Sequence, residues 1–167
     1  MNLNEAPIIE WAEQRGLFSP ANPIKQAAKT LEEVGEAKAA LCPVDSRVSQ
    51  KEAALELGDI LVTLTIQAHA QGSSLAECIR SVYKVGQLFK RGQKRWTWDK
   101  VDFWVEALMV AVEEQTSVRP MIGVVYKCVE DAAAIQLAMS PAECLALAYE
   151  KIRDRQGQTI DGEFVKA

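Results

Sequence analysis

TLEEVGEAKAA at residues 30–40 and ALELGDILVTLTI at residues 54–66 decide how the rest of the chain is read. The first run carries Glu33 and Glu36, the second Glu56 and Asp59, each pair three residues apart. On an α-helix that spacing puts both members on one face, so each pair points two carboxylates the same way. Glu32 adds a fifth acid beside the first pair. If the two helices lie antiparallel, the acids converge on one patch, where mutual repulsion drives protonation unless a cation sits among them. Oxygen-only ligands suit Mg²⁺ or Mn²⁺, and Mg²⁺ is commonly held partly through substrate phosphates.

The surrounding residues sharpen this. Gln26, Lys29, Glu33 and Glu36 fall on one narrow stripe of the first helix, beside an apolar stripe of Ile24, Ala27, Leu31, Val34 and Leu41. Glu56 and Asp59 are embedded among Leu55, Leu57, Ile60, Leu61, Val62 and Leu64. A helix apolar nearly all round is a buried one, and charges inside it need partners. A solvated acidic face accounts for Glu13 or Glu52 better than for Glu56 and Asp59.

These runs carry a resemblance. EExxE over 32–36, nineteen intervening residues (37–55) and ExxD over 56–59 are similar to the pattern of the MazG-like, all-α nucleoside triphosphate pyrophosphohydrolases. That superfamily also holds dimeric dUTPases and phosphoribosyl-ATP pyrophosphohydrolases. Ile9-x-Trp11 with Arg15-Gly16 resembles the family's opening helix, and Gln26-x-x-Lys29 before the acids fits as well. The end of the chain, KIRDRQGQTIDGEFVKA at 151–167, resembles the closing Lys–Arg helix and Gly-x-Phe-Val-Lys tail. The resemblance implies an all-α helical bundle completed by a second chain, as a homodimer or homotetramer. It implies Mg²⁺-dependent hydrolysis (with Mn²⁺ as a substitute) of a non-canonical or deoxynucleoside triphosphate to the monophosphate and pyrophosphate. Glu33, Glu36, Glu56 and Asp59 are then metal ligands, and Glu32 is the base or the ligand of an additional metal. Lys151 and Arg155 hold phosphate oxygens, and Trp11, Gln26 and Lys29 are candidates for base or sugar. One departure stands out: the family often has Asn just before that lysine, where this chain has Glu150. A dUTP or phosphoribosyl-ATP hydrolase and a non-catalytic helical interaction module are the alternatives.

Length and charge set the outer bounds. A chain of 167 residues fits one domain with a sizeable core, and its 49% hydrophobic content is that of a globular protein. A net charge of −4 and a pI near 5.2 argue against a dedicated nucleic-acid binder. The opening MNLNEAP has neither the basic start nor the apolar run of a secretory leader, and no stretch reads as a membrane span. Cys42, Cys78, Cys128 and Cys144 form no CxxC, so reduced, packed thiols in a cytoplasmic protein are expected, not zinc.

Along the chain, Ala6 to Gly16 reads as a short amphipathic helix whose Trp11 either joins the core or stacks on a base. Asn22 and Pro23 open the first acidic helix, and Pro43 stops it. Ser49-x-x-Glu52, Ser74-x-x-Glu77 and Ser140-Pro141-x-Glu143 have the form of capping boxes. His69 is the only histidine, which removes di-iron bundles, His-bearing zinc hydrolases and His-based triads. The segments SLAECIRSVYKV and SPAECLALAYEKI echo one another, so residues 84–139 are either an insertion or part of a degenerate second helical unit. In that second unit Ile122 and Val125 stand where the first has Glu56 and Asp59. Val101–Ala111 and Met121–Met139 read as further helices, and Phe103, Trp104, Leu108 and Val112 form a candidate subunit interface. Lys90, Arg91, Lys94 and Arg95 beside Trp96 and Trp98 are either a solvated connection or a basic aromatic patch near the nucleotide. Only the Thr159–Val165 tail reads as strand.

Overall fold

A computed structural model describes residues 3–18, 23–42, 49–86, 96–160 and 163–166. It is an all-α bundle that closes in a short hairpin. The helices are α1 (Ala6–Gln14), α2 (Pro23–Leu41), α3 (Gln50–Ala70), α4 (Leu75–Gly86), α5 (Val101–Glu113), α6 (Arg119–Ala132) and α7 (Pro141–Ile152). Strands β1 (Gly157–Ile160) and β2 (Glu163–Lys166) pair antiparallel, with Gly157 opposite Lys166. The 90–95 basic run, Asn22 and Pro43 lie outside the described residues.

Local chemistry places the helix ends. Ser49 Oγ accepts from the Glu52 amide at 3.3 Å and caps α3. Ser74 and Glu77 cap each other reciprocally, as do Ser140 and Glu143. These bonds satisfy orphan amides at helix starts. The carboxyls of Glu77 and Glu143 are accordingly held below the ordinary carboxylate value, chiefly by hydrogen bonds from the backbones of Ser74 and Ser140. Glu5 adds a cap from outside, accepting from the Leu75 amide at 2.8 Å. At the C-terminal end of α6 the chain widens into a π-helical turn over Ala133–Leu137 and stops at Ala138 in the left-handed region.

The buried helix is α3, with Ala53, Ala54, Leu57, Gly58 and every residue from Ile60 to Ala68 out of solvent. It packs against α2 on one side and α7 on another, while α1 lies across it. The pair α4–α6 is the second large interface, and α5 bridges α2 to α6. The two Ala-Glu-Cys helices therefore each pack on a helix of the other half of the chain. Both seats are cut by a glycine. A Cβ at Gly58 would meet the Cys144 carbonyl oxygen at 2.2 Å, and one at Gly123 would meet the Cys78 carbonyl oxygen at 2.2 Å. In this packing Gly123 stands for Gly58, which aligns Glu56 and Asp59 with Met121 and Val124. That register is one residue away from the one the Ala-Glu-Cys echo implies.

Burial pushes the thiols of Cys78 and Cys144 up to about 11 and that of Cys128 up to about 12, as packed cysteines require. Cys42 differs from the expectation: it is exposed at the end of α2. Of the proposed interface residues, Leu108 is wholly buried in the core, whereas Phe103 is 61% exposed with its ring edge against Trp104. Among the described residues no single helix is long and apolar enough to cross a membrane.

Candidate metal centre and cleft

The register of α2 against α3 is visible at Thr30, whose hydroxyl donates to Thr63 Oγ1 at 2.9 Å across the buried interface. One turn along, the antiparallel pairing brings Glu33 of α2 against Glu56 and Asp59 of α3. One carboxylate oxygen from each lies within 4.8 Å of the others. The side chains are only 10%, 16% and 12% exposed in that order, so this is no solvated acidic face.

The electrostatics follow from that crowding. Burial raises the Glu33 carboxyl, the Lys29 hydrogen bond and charge pull it back, and Asp59 and Glu36 push it up again, leaving it above the ordinary carboxylate value. Glu56 is raised for the same leading reason, burial, with Lys151 opposing and Asp59, Glu36 and Glu33 adding. Its Oε2 is buried and has no hydrogen-bond partner among the described residues. A buried carboxylate oxygen without a donor costs free energy that a cation offsets. Three carboxylates with neither sulfur nor imidazole fit a hard divalent ion. Glu36 stands outside this trio but borders the same cleft.

Two lysines lie on the acids. Lys29 Nζ is 2.8 Å from Glu32 and 2.9 Å from Glu33. Lys151 Nζ is 2.6 Å from Asp59 and 3.8 Å from Glu56. Burial alone would lower both ammonium groups, yet hydrogen bonds and charge from those acids outweigh it and hold both above the ordinary lysine value.

The acids open onto a cleft of about 590 Å³. Its α2 wall runs from Lys25 and Gln26 to Glu36, and its α3 wall from Ile66 through Thr63 and Val62 to Asp59. Eleven helical residues span about 16 Å, so the cleft is long, acidic at one end and lined by Trp11, Leu17 and Ile66 with Lys25 and Gln26 at the other. Trp11 and Leu17 line the end away from the acids, and Lys151 and Ile152 at the end of α7, with Arg155 just beyond it, flank the cleft. Helix α1 fixes that flank. Trp11 Nε1 donates to the Ile152 carbonyl at 3.0 Å, and Arg15 Nη2 donates to the Arg155 carbonyl at 2.6 Å. The Arg15 guanidinium also lies over the Trp11 ring, 4.7 Å from its centre. Trp11 is thus a core residue whose edge reaches the cleft. Glu150 forms an ion pair with Arg153 at 3.0 Å on the exposed side of α7.

Of the residues singled out from the sequence, Trp11, Gln26, Lys29, Glu32, Glu33, Glu36, Asp59, Lys151 and Arg155 border this one cleft, and Glu56 joins it through Asp59 and Lys151. Lys25, Thr63, Ile66 and the Arg15 clasp complete it without having been anticipated as site residues. Thr63 carried a signal, a hydroxyl four residues after Asp59 inside an apolar helix. His69 ends α3 with its ring 4.7 Å from Phe18, away from the acids. No family model matches the chain, nor does any curated protein or solved structure. What the chain displays is an all-α bundle with a buried acidic cluster able to hold a metal ion.

Proposed function

We propose that the chain is a divalent-metal-dependent nucleoside triphosphate pyrophosphohydrolase of the MazG-like kind, converting a nucleoside triphosphate and water to the monophosphate and pyrophosphate. One observation carries this: an acid trio and two lysines converge in a long cleft that Arg155 also borders and that Trp11, Leu17, Val62 and Ile66 line with apolar surface. A polyanion tethered to a flat, partly apolar base matches that lining. The resemblance of the EExxE and ExxD pairs to those of enzymes that cut at the α-phosphorus supports cleavage there.

Glu33, Glu56 and Asp59, with Glu36 at the border, would hold the metal. A divalent ion bound there supplies charge neutralisation and makes phosphorus more electrophilic. Lys151 and Arg155 hold phosphate oxygens from the α7 side, as point charge and fork respectively. Glu32, more than half exposed at the rim, takes the proton of the attacking water. The Leu17, Val62 and Ile66 wall excludes water from the base, and the Gln26 carboxamide offers it one donor and one acceptor. Incubation with each canonical and damaged ribo- and deoxynucleoside triphosphate plus Mg²⁺, with identification of products, tests the reading and separates a broad enzyme from one confined to dUTP. Absence of pyrophosphate release across that panel and with phosphoribosyl-ATP would remove it.

A further inference from the structure

Each acid of the trio already has an ammonium group beside one of its oxygens, while Glu56 Oε2 has no partner among the described residues. Lys151 covers Asp59 and Glu56, and Lys29 covers Glu33 and Glu32. The two lysines come from different helices, α2 and α7, and both border the cleft. We propose that Lys29 and Lys151 are resident counter-ions that keep free metal out of the site and yield it to a divalent cation arriving on a phosphate chain. The proposal rests on the functional reading above and goes beyond it by naming the species admitted.

The argument is one of charge. A divalent ion entering alone must displace two ammonium groups from carboxylates at 2.6 to 2.9 Å and leave them beside it, like charge against like. The same ion carrying a di- or triphosphate brings anionic oxygens that take the displaced lysines. Lysine suits the exchange because its ammonium rides on a flexible four-carbon stem, with donors that turn to a new acceptor. Metal and phosphate therefore bind with positive coupling, and linkage makes that coupling reciprocal. Because the clasp from Trp11 and Arg15 holds the backbone at the end of α7, only the side chain needs to move.

Calorimetric titration tests this without turnover, using Mg²⁺ alone, imidodiphosphate alone and the preformed Mg²⁺–imidodiphosphate complex. Wild-type protein should bind the complex on the order of tenfold or more tighter than Mg²⁺ alone. In Lys151→Met or Lys29→Met, Mg²⁺ alone should bind about tenfold tighter and the preference for the complex should shrink, while Lys151→Arg keeps the wild-type pattern. Both lysines are substantially exposed, and circular dichroism confirms the fold of each variant. Mg²⁺ binding that is measurable but unchanged in both methionine variants overturns the counter-ion proposal and leaves the metal site standing. No binding of any titrant to any of the proteins overturns the site and the proposal together.

Discussion

Gly58 lies so close beneath Cys144 that a side chain of even one carbon would come within 2.2 Å of the Cys144 carbonyl oxygen and 2.7 Å of Ala148 Cβ. Backbone atoms in a buried helix pair do not step aside, so α3 and α7 would have to part. Gly58→Ala should cost about 3 kcal/mol or more, since overpacking of this severity lies at the top of the usual range. Gly123→Ala should cost a similar amount, its Cβ meeting Cys78 O at 2.2 Å and Val82 Cγ2 at 2.4 Å. A Cβ at Gly35 on α2 would meet nothing within 4 Å, and Gly35→Ala should stabilise by about 0.5–1 kcal/mol through helix propensity alone. Urea unfolding of the three variants reads the opposite signs directly.

Gln67 is 1% exposed, and neither end of its carboxamide has a partner among the described residues. Gln67→Met keeps the volume and removes the unsatisfied polar atoms. It should stabilise the protein by about 1–2 kcal/mol. A loss of stability would mean that the amide has a partner that the variant breaks.

The raised carboxyls of Glu33 and Glu56 give the metal-free protein a distinctive pH response. A carboxyl raised by folding stabilises in its protonated form, and that contribution is lost as pH rises through the folded value. The metal-free Tm should therefore climb as pH falls from 7 toward the window just above the ordinary carboxylate value. Glu33→Gln and Glu56→Gln should each be more stable than wild type at pH 7 and flatten the climb. Glu77 and Glu143, lowered by their caps, act in a different window: their contribution disappears only as pH falls below the ordinary value. A wild-type Tm that falls steadily from pH 7 to 5 would contradict the assignment of Glu33 and Glu56 as crowded acids.

Glu36→Gln and Asp59→Asn should each lower turnover by about a hundredfold or more while the metal-free fold survives. They should also shrink the thermal shift produced by Mg²⁺ with a non-hydrolysable triphosphate, which follows mass action. Full activity in either variant would remove that residue from the site.

Much of this was legible in the chain. The three-residue spacing of the acids and the apolar setting of Glu56 and Asp59 announced two packed helices with charges inside, and the α2 and α3 boundaries follow from Pro23, Ser49 and Gly72. Helical period put Glu33 on one face with Glu36 and Glu56 with Asp59, and an antiparallel pair of helices was the condition for them to converge; Glu33, Glu56 and Asp59 do meet, with Glu36 bordering the same cleft. What periodicity could not give is which helix lies on which. Local pattern says nothing about α7 crossing to α3 while α4 crosses to α6, because that choice is made by close approach at two glycines. The double role of Lys151 was hidden for the same reason, since its acid partner is 92 residues away. Trp11 was ambiguous in sequence because an indole serves core and base equally well. Its hydrogen bond to Ile152 gives it the core position at the edge of the cleft.

Each chain should hold one metal–triphosphate site. In the second half Met121 and Val124 occupy the places of Glu56 and Asp59, and Val124 is wholly buried. Calorimetry with Mg²⁺ and a non-hydrolysable triphosphate should give one equivalent per chain; two would reveal a second site.

The most direct test of the central claim is hydrolysis of a turned-over nucleoside triphosphate in ¹⁸O-labelled water with Mg²⁺, followed by mass spectrometry of both products. Attack at the α-phosphorus predicts nucleoside monophosphate carrying the label and unlabelled pyrophosphate. Label in the pyrophosphate, or formation of nucleoside diphosphate and inorganic phosphate, would contradict it.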